Sequence, residues 1–249
     1  MKKILNTFIL LSVLFVSGYS SKTSKAADKK NTKVVNNVLT NKEKAEGWQL
    51  LFDGKSFDLW RGFNGRDASK DWIIEDGALK SLGHVTGSLV SLKDYENFEL
   101  QLEWRISKGG NSGILYGVIE GPKYKKISET GPEYQLLDDV GYTGKVEETQ
   151  LAGANYEMYV ADKSQKVLKT IESGEFNTAK IIVNKTHVEQ WLNGKKIVEF
   201  ERWTDDWNKR RLAGKWKDYP DYGLAKKGKI SLQDHGTNIW FRNIKIREL

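Results

Sequence analysis

The sequence predicts an all-β protein, a β-sandwich of two antiparallel sheets, in the part of the chain that follows Gly47. Apolar and polar residues alternate there with a period of about two, as they do in half-buried antiparallel strands. Turn-forming pairs such as Asp76-Gly77 and Asn193-Gly194 separate the short apolar segments. No long amphipathic helix pattern is present in the sequence. Many short strands joined by Gly and Asn turns are typical of a sandwich.

Individual strands can be located from the same alternation. The clearest pattern spans residues 98–105, where the apolar side chains are Phe98, Leu100, Leu102 and Trp104. Further predicted strands cover residues 133–136, 180–183, 187–192, 195–200, 229–233 and 239–246. Asn193-Gly194 supplies the positive φ angles of a tight hairpin between two of them. A short helix is predicted for residues 204–212.

The N-terminal residues have the composition of an export segment. Residues 1–19 combine Lys2 and Lys3 with an apolar stretch over residues 4–16, which indicates a secretory signal. The end of this signal resembles a bacterial lipoprotein cleavage box in which Tyr19 replaces the required cysteine. We therefore expect export to the periplasm, or association with the outer membrane, without a lipid anchor. The apolar stretch is too short to leave a membrane span in the mature chain.

The signal is followed by a polar segment and then by the β-rich region. Residues 20–44 are rich in Lys, Ser, Thr and Asn and are predicted to form a flexible linker. Residues 45–249 are predicted to form a single domain, since a length of about 200 residues suits one sandwich.

The net charge of +7 is concentrated at the N-terminus. Residues 1–46 contain nine Lys and three acidic residues, whereas the rest of the chain contains 31 basic and 30 acidic residues. The nearly neutral body argues against nucleic acid as a partner, because binding to the phosphate backbone requires a basic surface. The chain has no cysteine, which excludes disulfides, thiolate zinc sites and cysteine nucleophiles.

Alternation also assigns polar side chains to the faces of the predicted strands. Three strands each carry two hydrogen-bonding side chains two residues apart, namely Glu103 and Arg105, Glu133 and Gln135, and Gln233 and His235. If the three strands share one sheet, the six side chains line one polar surface. That surface is either a ligand site or only the solvent-facing side of an antiparallel sheet. Its mixture of acid, guanidinium, amide and imidazole groups favours a sugar-binding cleft.

The aromatic residues divide into two predicted groups. Trp48, Trp72 and Trp104 are expected in the core. Trp203, Trp207 and Trp216 lie in a loop-rich segment and are expected to form a wall that faces the substrate.

The motifs in residues 45–249 resemble, in order, those of the DUF1080 family, also called 3-keto-disaccharide hydrolase domains. The matching segments are Gly47-Trp48, Leu51-Phe52-Asp53-Gly54-Lys55, Glu75-Asp76-Gly77, Glu103-Trp104-Arg105, Gly110-Asn111-Ser112-Gly113, Gly131-Pro132-Glu133-Tyr134-Gln135 with Asp138, Trp191-Leu192-Asn193-Gly194, Leu232-Gln233-Asp234-His235-Gly236 and Phe241-Arg242-Asn243-Ile244. The resemblance implies a concanavalin A-like or LamG-like jelly roll that is exported and acts on oxidised sugars. It also implies an upstream sugar 3-oxidoreductase that supplies the keto sugar.

The implied substrate requires chemistry that differs from ordinary glycoside hydrolysis. A ketone at C3 acidifies the C2 proton, so a base can remove it, the enolate expels the C1 oxygen, and water adds afterwards. His235 or Glu133 is the expected base, and Arg105 and Gln135 are expected to bind oxygens of the keto sugar. Hydroxyl groups are expected to bind to Glu103, Asn111, Asp138 and Gln233.

Two alternatives remain open at this point. No cofactor is predicted, because no compact ligand motif is present, but Glu133, Asp138 and His235 could together bind a divalent cation. The second alternative is a non-catalytic, lectin-like carbohydrate-binding module, because one fold serves both functions. A binding module needs no titratable base, so Glu133 and His235 favour the enzyme.

Overall fold

A computed structural model describes Met1, residues 35–84 and residues 87–249. In chain order the strands are β1 (Gln49–Leu50), β2 (Trp60–Gly62), β3 (Trp72–Glu75), β4 (Ala78–Ser81), β5 (Leu89–Tyr95), β6 (Phe98–Ile106), β7 (Asn111–Val118), β8 (Glu133–Leu137), β9 (Asn177–Asn184), β10 (His187–Leu192), β11 (Lys195–Glu201), β12 (Gly228–Leu232) and β13 (Ile239–Glu248). The helices are α1 (Asn41–Ala45) and α2 (Asp205–Ala213). Short 3-10 turns cover Phe63–Gly65, Ile127–Glu129, Glu148–Gln150, Ile171–Ser173 and Lys215–Asp218.

The strands form two antiparallel sheets. The larger sheet has the order β11-β10-β9-β6-β13-β4-β3, and β1 pairs with β13 to complete its eight strands. The smaller sheet has five strands in the order β2-β5-β12-β7-β8. The prediction of an all-β fold of two antiparallel sheets is confirmed.

Alternation along the strands builds the core between the two sheets. The inward side chains of one sheet and of the other join a single buried cluster, which includes Leu100, Leu102 and Trp104 of β6, Tyr134 and Leu136 of β8, and Ile230 and Leu232 of β12. Their polar neighbours along each strand must therefore point to the outer faces. The predicted faces of these three strands are confirmed.

The predicted helix is confirmed as α2, and its start has a clear physical cause. The Thr204 hydroxyl accepts a hydrogen bond from the backbone N–H of Trp207 at 3.2 Å, which satisfies one of the free donors at the helix start. Asp205 and Asp206 lie in the first turn, where a carboxylate is favoured by the helix dipole.

The compact unit begins earlier than the sequence indicated, at Val35 rather than at residue 45. Asn37 is buried, and its side chain and backbone form reciprocal hydrogen bonds with Asn243, at 2.6 and 2.8 Å. Its amide also donates to the carbonyl of Gly77 at 2.8 Å. Residues 35–44 of the predicted linker are thus part of the sandwich unit. The polar composition that indicated a linker reflects asparagines used for tertiary hydrogen bonds.

Apart from Met1, the predicted signal at residues 1–19 and the first part of the linker lie outside the described residues. The signal, Tyr19 and the route of export therefore stay predictions. Within the part of the chain that is described, no helix is long and apolar enough to cross a membrane.

Candidate functional site

The three polar pairs predicted to share one surface lie on two different sheets. Glu133 and Gln135 are on β8, and Gln233 and His235 follow β12, so these four belong to the smaller sheet. Glu103 and Arg105 are on β6 of the larger sheet. Because the core lies between the sheets, their outer faces point in opposite directions. The expectation of one surface with six members was therefore wrong.

A cavity of about 260 Å³ opens on the outer face of the smaller sheet. Its lining includes five of the predicted site residues, which are Asn111, Glu133, Gln135, Gln233 and His235. The cavity also has a set of residues that sequence analysis did not single out, among them Phe63, Arg66, Lys125, Lys126, Tyr156, Lys215 and Asp234. This cavity is the candidate active site.

Glu133 lies at the floor of the cavity and is 4% exposed. Its side chain reaches Gly113 of β7, which is the register partner of Gln135. A Cβ atom at Gly113 would overlap with Oε1 of Glu133 and lie 2.7 Å from its Cδ. Glycine at this position therefore leaves the space that the carboxyl occupies. None of the described residues forms a hydrogen bond with this carboxyl, so it is free to contact a substrate.

Burial raises the pKa of Glu133 from 4.5 to about 8, because the ionised form loses its hydration. The positive charge of Lys215 acts in the opposite direction and lowers this pKa. Burial likewise lowers the pKa of Lys215, and the charge of Glu133 raises it. A carboxyl with a pKa near neutral pH can both accept and return a proton under physiological conditions, as a general base must.

Lys215 begins the 3-10 turn that follows α2, and aromatic packing holds it over the cavity. Its Nζ lies 4.6 Å from the ring centres of both Tyr156 and Trp216. The Trp216 ring is buried and stacks on Tyr222, with 3.9 Å between the ring centres. The position of Lys215 could not be predicted from the sequence, because an irregular segment has no periodicity that assigns a side chain to a face.

Amide side chains provide the polar wall beside Glu133. Nε2 of Gln135 donates to Oδ1 of Asn111 at 3.3 Å and to the carbonyl of Gln150 at 3.0 Å. Both donors of Gln135 are thereby used, which leaves its oxygen to accept a bond, while the Asn111 amide keeps its donors for a ligand. Oε1 of Gln233 is buried without a partner among the described residues. These groups suit the hydroxyls of a sugar, which both donate and accept.

His235 and Asp234 lie on the opposite side of the cavity, after β12. His235 is exposed, and none of the described residues forms a hydrogen bond with its ring. Asp234 is 6% exposed, and its Oδ1 accepts bonds from the Ser81 hydroxyl at 3.0 Å and from the backbone N–H of Gly236 at 3.3 Å. The imidazole is therefore at the solvent-exposed rim, whereas Glu133 is enclosed.

Glu103 and Arg105 help to line a second cleft, of about 490 Å³, on the outer face of the larger sheet. Glu103 accepts a hydrogen bond from Nε of Arg242 at 2.7 Å. The Arg105 guanidinium lies 4.9 Å from the ring centres of both Phe176 and Trp240. Nε of Arg105 is buried without a hydrogen-bond partner among the described residues. Both side chains lie away from the cavity that contains Glu133, so the expected contacts of Glu103 and Arg105 with the same substrate are not supported by their placement.

Asp138 also lies outside the cavity lining. One of its carboxylate oxygens accepts a bond from the Gly109 backbone N–H at 2.8 Å and the other from that of Val140 at 3.3 Å, which holds the turns at the ends of β7 and β8. The three residues considered for a divalent cation are therefore not brought together, because only Glu133 and His235 line the cavity.

A different cluster has the spacing of metal ligands in the described residues. It consists of His187, Glu189 and Glu199 on the outer side of β10 and β11, away from the cavity. Lys196 lies 2.7 Å from a carboxylate oxygen of Glu199 and 3.5 Å from one of Glu189, so the cluster already contains its own cation.

The expected aromatic wall is also corrected by the structure. Trp207 and Trp216 are fully buried and stack on Tyr222 in the core, and Trp203 is partly buried and donates from its indole N–H to the carbonyl of Gly223 at 2.8 Å. The aromatic groups that line the cavity are Phe63 and Tyr156. The tryptophans build the support beneath Lys215 rather than a surface for the sugar.

Comparison with known proteins identifies the family of the chain. The model of the family of 3-keto-alpha-glucoside-1,2-lyase-like domains matches residues 47–247. A relative from Bacteroides thetaiotaomicron, named 3-keto-disaccharide hydrolase, is 34% identical over 237 residues, which are 82% of this chain and 79% of the relative.

Two crystal structures from Parabacteroides distasonis, both of proposed glycosyl hydrolases, have the same fold. The first is 46% identical, covers 86% of this chain and 100% of its own, and has a TM-score of 0.80. The second is 30% identical, covers 81% and 99%, and has a TM-score of 0.63. The resemblance seen in the motifs is thereby confirmed, and so is the prediction of an enzyme. The chain belongs to the family of 3-keto-α-glucoside-1,2-lyase-like domains and is a carbohydrate-active enzyme.

Proposed function

We propose that this protein is exported and cleaves the glycosidic bond of 3-keto-glucosides, including 3-keto-disaccharides, by elimination followed by hydration. The observation that carries the proposal is the buried carboxyl of Glu133, which has a pKa of about 8 and lies beside Lys215 in a cavity with amide walls. The name of the B. thetaiotaomicron relative and the description of the family support the substrate class. An oxidoreductase that forms the C3 ketone must act before this enzyme.

The reaction begins at the carbon next to the ketone. The ionised Glu133 carboxylate removes the proton from C2, and the electron pair of the C2–H bond moves into an enolate whose charge lies on the C3 oxygen. The enolate then expels the C1 oxygen with its bonding electrons, and that oxygen takes up a proton. Water finally adds across the C1–C2 double bond, with hydroxyl on C1 and a proton on C2, which gives the free 3-keto sugar.

The residues around Glu133 have distinct roles in this scheme. The Lys215 ammonium stabilises the negative oxygen of the enolate. Asn111, Gln135 and Gln233 bind hydroxyl groups and orient the ring. His235, at the open rim, delivers the proton to the leaving oxygen.

The cavity is less suited to ordinary glycoside hydrolysis, which needs two carboxyl groups on either side of the bond. The second carboxylate of the lining is Asp234, whose Oδ1 accepts bonds from Ser81 and Gly236 and whose buried Oδ2 has no hydrogen-bond partner among the described residues. Glu133 is the carboxyl on which the charge of Lys215 acts, and an enclosed base beside a cation is the arrangement that enolate formation requires.

The test is incubation of the purified protein with the α and β anomers of phenyl 3-keto-glucoside, with phenol release as the readout. We expect release by the wild-type protein and a loss of kcat on the order of 10²- to 10⁴-fold in Glu133→Gln, the range typical of a general base. The matched control is Glu148→Gln, because Glu148 is exposed and pairs with Lys163 away from the cavity. Binding of both anomers without phenol release would instead support the lectin-like alternative.

A further inference from the structure

The charges that line the cavity are strongly unequal. The basic residues of the lining are Arg66, Lys125, Lys126 and Lys215, whereas its only acidic residues are Glu133 and Asp234. The body of the protein as a whole is nearly neutral, since the excess of basic residues lies in residues 1–46. The excess of basic residues at the cavity is therefore a local feature, because the protein surface as a whole is not basic.

The two acidic residues of the lining do not neutralise its three lysines. Glu133 stays protonated up to about pH 8, because of its burial. Asp234 is held on its own side of the cavity by Ser81 and Gly236. Among the described residues, no carboxylate lies within ion-pair distance of Lys125, Lys126 or Lys215; Lys125 donates to the carbonyl of Pro122 at 3.2 Å.

The carboxylates near these lysines accept hydrogen bonds from groups other than the lysine ammonium groups. Oε1 of Glu129 accepts the backbone N–H groups of Lys125 and Lys126, both at 2.9 Å. Glu157 accepts a bond from the side-chain amide of Gln150 at 2.5 Å. Neither carboxylate lines the cavity, so the ammonium groups of Lys126 and Lys215 remain without a carboxylate partner. The charge of Lys126 also contributes to the lowered pKa of Lys215, so the two cations repel each other.

The second cleft of the protein does not share this excess of basic over acidic lining residues. In the second cleft, Arg242 pairs with Glu103 at 2.7 Å and Lys169 with Glu175 at 3.7 Å. Its lining has four acidic residues and three basic ones. Arg105 of the second cleft packs on Phe176 and Trp240 and not on a carboxylate. Acidic residues nevertheless outnumber basic ones in that cleft, so of these two sites it is the first cavity that has an excess of cations.

We propose that the natural leaving group of this enzyme carries a negative charge, which Lys125 and Lys126 bind. The inference rests on the function proposed above. Glu133 occupies the enclosed part of the cavity, and the charge of the exposed Lys215 acts on it, so these two groups contact the reacting keto sugar. Lys125 and Lys126, which are also exposed, contact what projects from C1. A carboxylate on a second sugar or on an aromatic acid satisfies this requirement. The anion also relieves the repulsion between Lys126 and Lys215.

The test compares two substrates that differ in charge but have similar leaving oxygens. They are the 4-(carboxymethyl)phenyl and 4-ethylphenyl 3-keto-glucosides. In the first, a methylene separates the carboxylate from the ring, so the carboxylate has little effect on the leaving oxygen. At low ionic strength we expect kcat/KM to be on the order of 10-fold higher for the carboxylate substrate, as two or three exposed ion pairs allow. Sodium chloride at about 0.5 M should remove most of this preference by screening.

Variants assign the preference to the two lysines. In Lys125→Gln/Lys126→Gln, kcat/KM for the carboxylate substrate should fall about 5-fold more than for the neutral one. Lys123→Gln is the matched control, because Lys123 is on the same loop, pairs with Asp221 at 2.8 Å and does not line the cavity. This control should keep the wild-type preference.

The outcomes separate this inference from the proposed function. Equal kcat/KM for both substrates at low ionic strength overturns the inference and leaves the proposed function intact. An equal loss on both substrates in the double variant overturns it as well, because the lysines would then act on the sugar or on the fold. Release from neither substrate contradicts the proposed function itself.

Discussion

Replacing Glu133 by Gln should stabilise the protein in a pH-dependent manner, independently of its effect on activity. Burial raises the pKa of this carboxyl from 4.5 to about 8 in the folded state. Below pH 4.5 the carboxyl is protonated in both the folded and the unfolded state. Between pH 4.5 and about 8 it ionises only in the unfolded state, so a rise in pH favours unfolding of the wild-type protein.

The size of the effect follows from the two pKa values. Each pH unit between them corresponds to about 1.4 kcal/mol, so the interval from 4.5 to about 8 corresponds to about 5 kcal/mol. Gln does not titrate, so the free energy of unfolding of Glu133→Gln should rise by this amount relative to wild type across the interval. A buried amide without partners adds a pH-independent penalty of about 1–3 kcal/mol. The change with pH is therefore the diagnostic quantity.

Urea unfolding followed by tryptophan fluorescence, repeated between about pH 4 and pH 9, measures this difference. Glu148→Gln is the control, since its carboxylate is exposed, and the difference from wild type should stay nearly constant over the same pH range. Parallel curves for Glu133→Gln and wild type would refute the conclusion that Glu133 is buried as a protonated acid.

Further predictions concern the residues around Glu133. Lys215→Met should lower kcat about 100-fold, because it removes the charge that stabilises the enolate. It should also move the ascending limb of the pH profile of kcat/KM to higher pH, because Lys215 lowers the pKa of Glu133. Gly113→Ala should lower kcat about 10-fold or more and reduce the free energy of unfolding by about 1–3 kcal/mol, since the new Cβ overlaps the carboxyl of Glu133; steady-state kinetics and urea unfolding measure both. Arg105→Ala should leave kcat/KM within about 2-fold of wild type and reduce stability by about 1 kcal/mol, through loss of its contacts with Phe176 and Trp240.

Sequence alternation predicted seven of the thirteen strands of the described residues, and it predicted the faces of β6, β8 and β12 correctly. It placed Glu133 and Gln135 opposite Tyr134 and Leu136, and the structure confirms that the first two line the cavity while the other two are in the core. A period of two is a local property of one strand, so a single sequence was enough to find it.

The choice of sheet could not be predicted in the same way. Alternation assigns Arg105 to an outer face, but the pairing of β6 with β9 and β13 decides that this is the face of the larger sheet. Strand order depends on long-range pairing, which the local pattern does not encode. The six polar residues were therefore grouped together although two of them lie on the other side of the protein.

Irregular segments caused the remaining differences. Trp216 was expected to face the substrate, because a loop-rich segment near the surface usually exposes part of its aromatic residues. In the structure Trp216 is buried and its neighbour Lys215 reaches the cavity. In a 3-10 turn, one residue can be buried while the next is exposed. The sequence of this segment has no periodic pattern that indicates which of the two side chains is buried.

The kinetic isotope effect at C2 tests the central claim most directly. Phenyl 3-keto-glucoside labelled with deuterium at C2 should react several-fold more slowly than the unlabelled compound, and the released sugar should have lost its label, because Glu133 removes the C2 proton before the C1–O bond breaks. Equal rates for the two compounds, with deuterium retained at C2 of the product, would show that the bond is cleaved by direct displacement at C1 and would contradict the account.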